Sequence, residues 1–190
     1  MNLKKDVTLI CVDGVDPNLS YKSLLFSNRE VGFDNIKLLS FELPAGYKND
    51  VEFIQIPKMS WGEYNDFVAR KLIDFIDTPY CLLIQTDGVI VNSNLWLDEF
   101  FDYDYVGAPT TKDMGIQYKE EMIGGGGFTL NSKRLLEFTR GIAQPNEYGF
   151  YVNEDTSIDN EVSLYNTFGF HGRQHKTHLI DSIIKERMRD

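Results

Sequence analysis

The apolar positions of this chain fall into short blocks punctuated by glycine, proline and aspartate. Val7–Val12 is a nearly continuous apolar run bounded by Asp13-Gly14 and Asp16-Pro17, the pattern of a strand buried on both faces. Pro17 suits the first turn of a helix and Asp16 its cap, predicting a helix through Leu19–Phe26. Ile36–Phe41 and Val51–Ile56 read as further strands, the second stopped by Pro57. Ser60 with Glu63 forms a capping box, and Tyr64, Phe67, Val68, Leu72, Phe75 and Ile76 follow at helical spacing. Thr78-Pro79 stops that helix. Tyr80–Ile84 is another buried strand, ending in Gln85-Thr86-Asp87-Gly88.

The second half is less regular. Trp96–Phe101 reads as a short helix and Tyr103–Gly107 as a strand. A glycine-rich stretch, Ile123–Leu130, leads to a helix from Ser132 to about Arg140. A loop follows from Gly141 to Asn153, and a charged C-terminal helix comes after Phe168–Gly172. Strand and helix alternate over the first half without repeats or linkers. The expected fold is therefore α/β, a single Rossmann-like domain over residues 1–190 with a twisted, mostly parallel central sheet and helices on both faces. In such sheets ligands bind beyond the carboxyl ends of the strands. Three of those ends carry polar residues: Asp13-Gly14, Lys58 and Asp87-Gly88.

Composition narrows the classes. The 190 residues are 42% hydrophobic and 25% charged, as in an ordinary globular protein. A formal charge of −10 opposes stable binding of nucleic acid phosphates. The basic C-terminal end (Lys176, Lys185, Arg187, Arg189) reads as a solvated helix end. No apolar run is long enough to span a bilayer, and the N-terminus lacks the pattern of a targeting segment. Cys11 and Cys81 sit inside apolar runs, as buried thiols of a reducing compartment would, so the expected location is cytoplasmic.

Four features are candidates for chemistry. Asp87, directly after a buried strand, is placed to hold a divalent cation; the same dipeptide is also a common turn. The run Gly124–Gly127 lets backbone approach a ligand closely or forms a flexible hairpin. It lacks the Gly-Lys-Ser/Thr of a phosphate loop, and Gly14 opens no dinucleotide fingerprint. Asn153-Glu154-Asp155 offers carboxylates that act as a general base or are merely solvated loop acids. His171 is a potential metal ligand. A zinc site from His171, His175, His178 and Asp181 has no cysteine nearby and departs from the usual ligand sets.

The segments 7–14, 56–60, 85–88, 105–109, 125–132, 153–155 and 168–172, in this order, resemble a family of GT-A-like glycosyltransferase domains of largely unassigned substrate. The resemblance runs from Val7 to Gly172. It implies a metal-dependent transfer from a nucleoside-diphosphate sugar, a UDP-sugar by expectation, to an acceptor hydroxyl. Asp87 stands where the family keeps the last Asp of its D-x-D motif, which binds Mn2+ or Mg2+, and His171 matches a late-sequence second metal ligand. Val12 and Asp13 match the end of the strand that holds the nucleotide base. Gly14, Lys58, Gln85 and Thr86 join them on the donor side. Gly125, Gly126 and Gly127 fall where, by the same resemblance, the strand and loop lining the donor sugar and acceptor are expected. Asp155 corresponds to the base of inverting members, with Glu154 beside it.

This sequence departs from the family in having Gln85 at the first D-x-D position and a short stretch between Asp155 and Phe168. The acceptor implied is a glycan, a protein, a lipid-linked sugar or, less in keeping with the negative charge, a modified nucleobase. The competing readings are a nucleotidyltransferase, expected to carry a basic glycine-rich loop after its first strand, and a non-catalytic nucleotide-sugar-binding domain.

Overall fold

The structure is a computed structural model and describes residues 1–107, 127–142 and 169–171. A short helix α1 (Leu3–Asp6) leads into β1 (Val7–Asp13), all seven residues of which are buried. Helix α2 (Pro17–Val31) begins as its sequence predicts: Oδ1 of Asp16 accepts hydrogen bonds from the Asn18 and Leu19 amides, at 3.1 and 3.0 Å. It ends at Gly32, whose φ of +72° is the left-handed conformation a side chain would resist. Next come β2 (Asn35–Ser40), β3 (Glu52–Gln55) and α3 (Trp61–Arg70), the last opened by the Ser60–Glu63 capping box.

β4 (Tyr80–Ile84) and β5 (Gly88–Ile90) flank the Gln85–Asp87 turn. Strands β6 (Tyr105–Gly107) and β7 (Phe128–Ser132), helix α4 (Lys133–Ile142) and strand β8 (Gly169–His171) follow.

The main sheet has the order β3-β2-β1-β4-β7-β6. β3, β2, β1 and β4 run parallel, whereas β7 is antiparallel to both of its neighbours. A mostly parallel sheet with helices on both faces is thus what forms. Alternate side chains of the central strands feed two cores. Val7, Leu9 and Cys11 of β1 join Leu82 and Ile84 of β4 beneath Tyr21 and Leu24 of α2. Ile10, Val12, Cys81 and Leu83 pack on the opposite face with Phe67 of α3 and Leu136 of α4. This is why the two strands show no polar alternation.

Three sequence expectations need correction. The apolar spacing from Tyr64 to Ile76 is not one helix: α3 ends at Arg70, and Leu72–Phe75 forms a tighter 3-10 turn. Leu72, Ile73 and Ile76 are buried all the same, because over a single turn the spacing of apolar residues does not separate the two helix types. The helix expected over Trp96–Phe101 is instead two 3-10 turns, Ser93–Leu95 and Asp98–Asp102, with Trp96 extended between them. Its indole packs against Phe100 and Phe101, so the aromatic residues are satisfied by clustering rather than by a regular helix face. The loop expected from Gly141 to Asn153 starts later than expected, because Gly141 and Ile142 still belong to α4; its remainder and the C-terminal helix lie outside the described residues.

Among the described residues, no helix is long and apolar enough to cross a membrane. Cys11 and Cys81 are both free and buried, as expected.

Candidate functional site

The sheet order changes direction at β1. From β1 the chain goes outward through β2 to β3, then returns to place β4 on the other side. The gap beyond the carboxyl ends of β1 and β4 is therefore the topological switch point, where an α/β sheet leaves room for a ligand. Asp13-Gly14 and Asp87-Gly88 stand at the two sides of that gap.

Asp13 is 4% exposed, and its carboxylate builds the turn after β1. Oδ1 accepts from the amides of Val15 and Asp16 at 3.1 and 3.0 Å, and Oδ2 accepts from the Ser40 hydroxyl at 3.0 Å. Val12, also expected on the donor side, has its side chain in the core, which leaves only its main chain at the sheet end. Gly14 abuts the segment after β3: a Cβ there would lie 3.1 Å from the Met59 carbonyl oxygen. In the same segment Lys58 sets its ammonium 4.7 Å from the centre of the Phe41 ring, a cation–π contact. The β1 and β3 ends thus come together, as expected from their positions in the fold.

Asp87 is 5% exposed at the opposite side of the gap. Its turn is gripped from several directions. The Ser23 hydroxyl donates to the Thr86 carbonyl at 2.8 Å, and the Ile90 amide donates to the Ser27 hydroxyl at 3.1 Å. The Gln85 amide donates to the Gly127 carbonyl at 2.9 Å. The Gln85 side chain donates through Nε2 to the Tyr64 hydroxyl at 3.0 Å. Gly88 has no room for a side chain, since a Cβ would fall 2.2 Å from the Gly127 oxygen.

The last glycine of the run therefore touches the Asp87 turn directly, and the other two glycines expected at the donor, Gly125 and Gly126, lie outside the described residues. β8 completes the picture. It pairs antiparallel with β5 in the register Gly88↔His171, so the backbone of His171 lies directly across from the residue after Asp87. Glu154 and Asp155 lie outside the described residues.

The Cys11 thiol is pushed up to about 12, first by burial, with the charges of Asp13 and Asp87 adding to it and Ser20 opposing. Cys81 is raised to about 12 by burial, although Asn131 opposes that shift. Both thiols stay protonated at neutral pH, so neither suits a nucleophile.

Among the described residues, no group of three or more His, Cys, Asp or Glu side chains is arranged to hold a metal. The donor chemistry nevertheless fits one kind of ion. A hard divalent cation such as Mg2+ commonly binds through one or two carboxylates and completes its shell with water and phosphate oxygens. Asp87 suits that mode, and a closed all-protein cage is not required for it.

Sequence inspection alone missed Ser23 and Ser27, read Tyr64 only as part of an apolar helix face, and marked Gly88 only as part of a strand-end turn. The serines did leave a signal. Ser20, Ser23 and Ser27 recur at i, i+3 and i+7 on a stripe of α2 that is fully buried, where apolar residues are the rule.

No curated protein matches the chain. Among solved structures, it is similar to the bifunctional IspDF from Campylobacter jejuni, with a TM-score of 0.52 and 12% identity over 75% of this chain. The match covers 45% of that protein, so the chain accounts for less than half of its length. This likeness supports the α/β fold. An active-site mutant of LgtC overlaps 96% of this chain and 95% of its own, with 14% identity and a TM-score of 0.49. A glucose-1-phosphate thymidylyltransferase from Bacillus anthracis overlaps 73% and 76%, with 11% identity and a TM-score of 0.45. These last two likenesses are too distant to bear on the reaction. One family model matches residues 51–175, well over half of the chain and the whole span from β3 past β8. The chain belongs to that family, described as protein of unknown function, DUF5672.

Proposed function

We propose that this protein is a divalent-metal-dependent glycosyltransferase that takes a sugar from a nucleoside-diphosphate sugar, with UDP as the expected nucleotide. The observation that carries the reading is the meeting of Asp87, Gly127 and the His171 backbone beyond the carboxyl end of β4, beside the β1 turn. Segments distant in sequence, whose order resembles that of one kind of glycosyltransferase domain, converge there. The turn after β1 weighs against a nucleotidyltransferase: Asp13-Gly14-Val15-Asp16 is acidic and closed by its own carboxylate.

In this reading the diphosphate of the donor lies between the β1 and β4 ends, and Asp87 and His171 are the residues that would hold Mn2+ or Mg2+. The cation supplies positive charge that favours departure of the diphosphate. Asp155 takes the proton of the acceptor hydroxyl as its oxygen bonds to the anomeric carbon. The bond from that carbon to the diphosphate breaks, and its electron pair leaves on the phosphate oxygen. Attack from the face opposite the leaving group inverts the configuration. Glu154 contacts a sugar hydroxyl or positions the loop. Gly127 lets the chain approach the donor without a side chain in the way.

Titration calorimetry with UDP, with and without Mn2+, tests the core of this proposal. Mn2+-dependent binding is expected in the native protein, undetectable in Asp87→Ala and weakened in His171→Ala. Affinities unchanged in both variants would remove the assignment.

A further inference from the structure

Two of the three buried serines on the α2 stripe are spent on one short segment. Ser23 holds the Thr86 carbonyl and Ser27 holds the Ile90 amide. The two contacts bracket Asp87 on either side. A buried hydroxyl is unfavourable unless it is hydrogen-bonded, and an apolar side chain at either position would serve the core without that demand.

The first contact has a specific geometric consequence. The Thr86 carbonyl belongs to the same planar peptide unit as the Asp87 amide. Fixing that plane fixes the direction of the Asp87 N–Cα bond, and the hold on Ile90 restrains the chain beyond it, so the two contacts together limit the rotations that aim the Asp87 side chain.

We infer that Ser23 is a positioning residue: through the Thr86 carbonyl it orients the Asp87 carboxylate, and Ser27 secures the outgoing strand β5. This rests on the proposed role of Asp87 in holding the cation on a nucleoside diphosphate. Helix α2 therefore does two jobs, closing one core with Leu24 and Tyr21 and setting the binding turn with its serines. Ser23 is fully buried, so it touches no substrate.

The test compares Ser23→Ala and Ser23→Cys with Thr8→Val, using Mn2+ with UDP as the probe in calorimetry and thermal melting as the stability readout. Thr8 is equally buried and shares a 2.7 Å hydroxyl hydrogen bond with Thr78 near the opposite end of β1, so it controls for loss of a buried polar contact. Ser23→Ala is expected to weaken Mn2+-dependent UDP binding about three- to tenfold, the range of one lost hydrogen bond. Ser23→Cys, which keeps a weak donor, is expected to fall between native and alanine. Thr8→Val is expected to lower the melting temperature while keeping native affinity. Should the alanine variant fail to fold, the cysteine variant decides.

Native affinity in the Ser23 variants, or an equal loss in Thr8→Val, would overturn the positioning role and leave the metal reading standing. A native protein that binds UDP no better with Mn2+ than without it would overturn that reading and this inference together.

Discussion

The chain uses the dipeptide Asp-Gly twice after a buried strand, and the two copies have different fates. At Asp13-Gly14 the carboxylate makes the turn, accepting from two successive amides and from Ser40. At Asp87-Gly88 the turn is anchored by Ser23, Ser27 and Gly127, groups contributed by other elements. The first aspartate is structural by its own bonds. The turn that carries the second is held by groups from other elements. The same two letters therefore do not report the same chemistry, and what separates them is the company the turn keeps.

The two turns should differ most at their glycines. Gly88→Ala puts a methyl 2.2 Å from a backbone oxygen, and neither side of that contact is a flexible side chain. The variant is expected to lose about 3 kcal/mol, the upper part of the usual overpacking range, which for a chain of this size lowers the melting temperature by on the order of 10 °C. Gly14→Ala meets the Met59 oxygen at 3.1 Å with no positive φ to oppose it. There the reduced freedom of the unfolded chain offsets a mild contact, and the change is expected to stay within about 1 kcal/mol of native. Equal melting temperatures for the two variants would erase the distinction between the turns.

The carboxylates give the next test. Asp13→Ala removes a charged acceptor from three donors and is expected to cost roughly 2 kcal/mol in chemical denaturation. Measured where the variant is fully folded, its affinity for UDP with Mn2+ should survive, in contrast to Asp87→Ala. Loss of that affinity would make Asp13 a ligand after all, as its place at the end of the first strand had suggested.

The smallest effect near neutral pH concerns Cys11, which lies close enough to feel both aspartates. Its pKa is raised by folding, to about 12, so its contribution to stability is fully present below the ordinary thiol value. Above that value the unfolded chain gives up the proton while the native state retains it, and stability falls as pH rises from about 9 towards 12. Cys81 acts in the same sense. Urea midpoints measured across that range should decline, and less steeply in Cys11→Ala. An identical slope in that variant would show that other groups govern the alkaline limb.

Local pattern was enough to read the parts of this protein that depend on neighbours along the chain. The apolar runs of β1 and β4, the Asp16 and Ser60 caps, and the buried character of both cysteines follow from local pattern and short-range hydrogen bonding. It also marked Asp13, Lys58 and Asp87 as strand-end residues, because strand boundaries are themselves local. It did not separate the helical turn at 72–75 from α3, since a single turn of either helix type buries the same spacing of residues.

Tertiary structure alone decided which strand ends share the switch point and which aspartate is occupied by its own turn. It also decided why Gly88 can be nothing larger and why α2 buries serines. Each of those answers depends on a partner far away in the chain: Asp13 on Ser40, Gly88 on Gly127, Thr86 on Ser23. A short-range pattern carries no record of such partners, because a turn, a glycine or a buried serine looks the same in sequence whatever comes to rest against it.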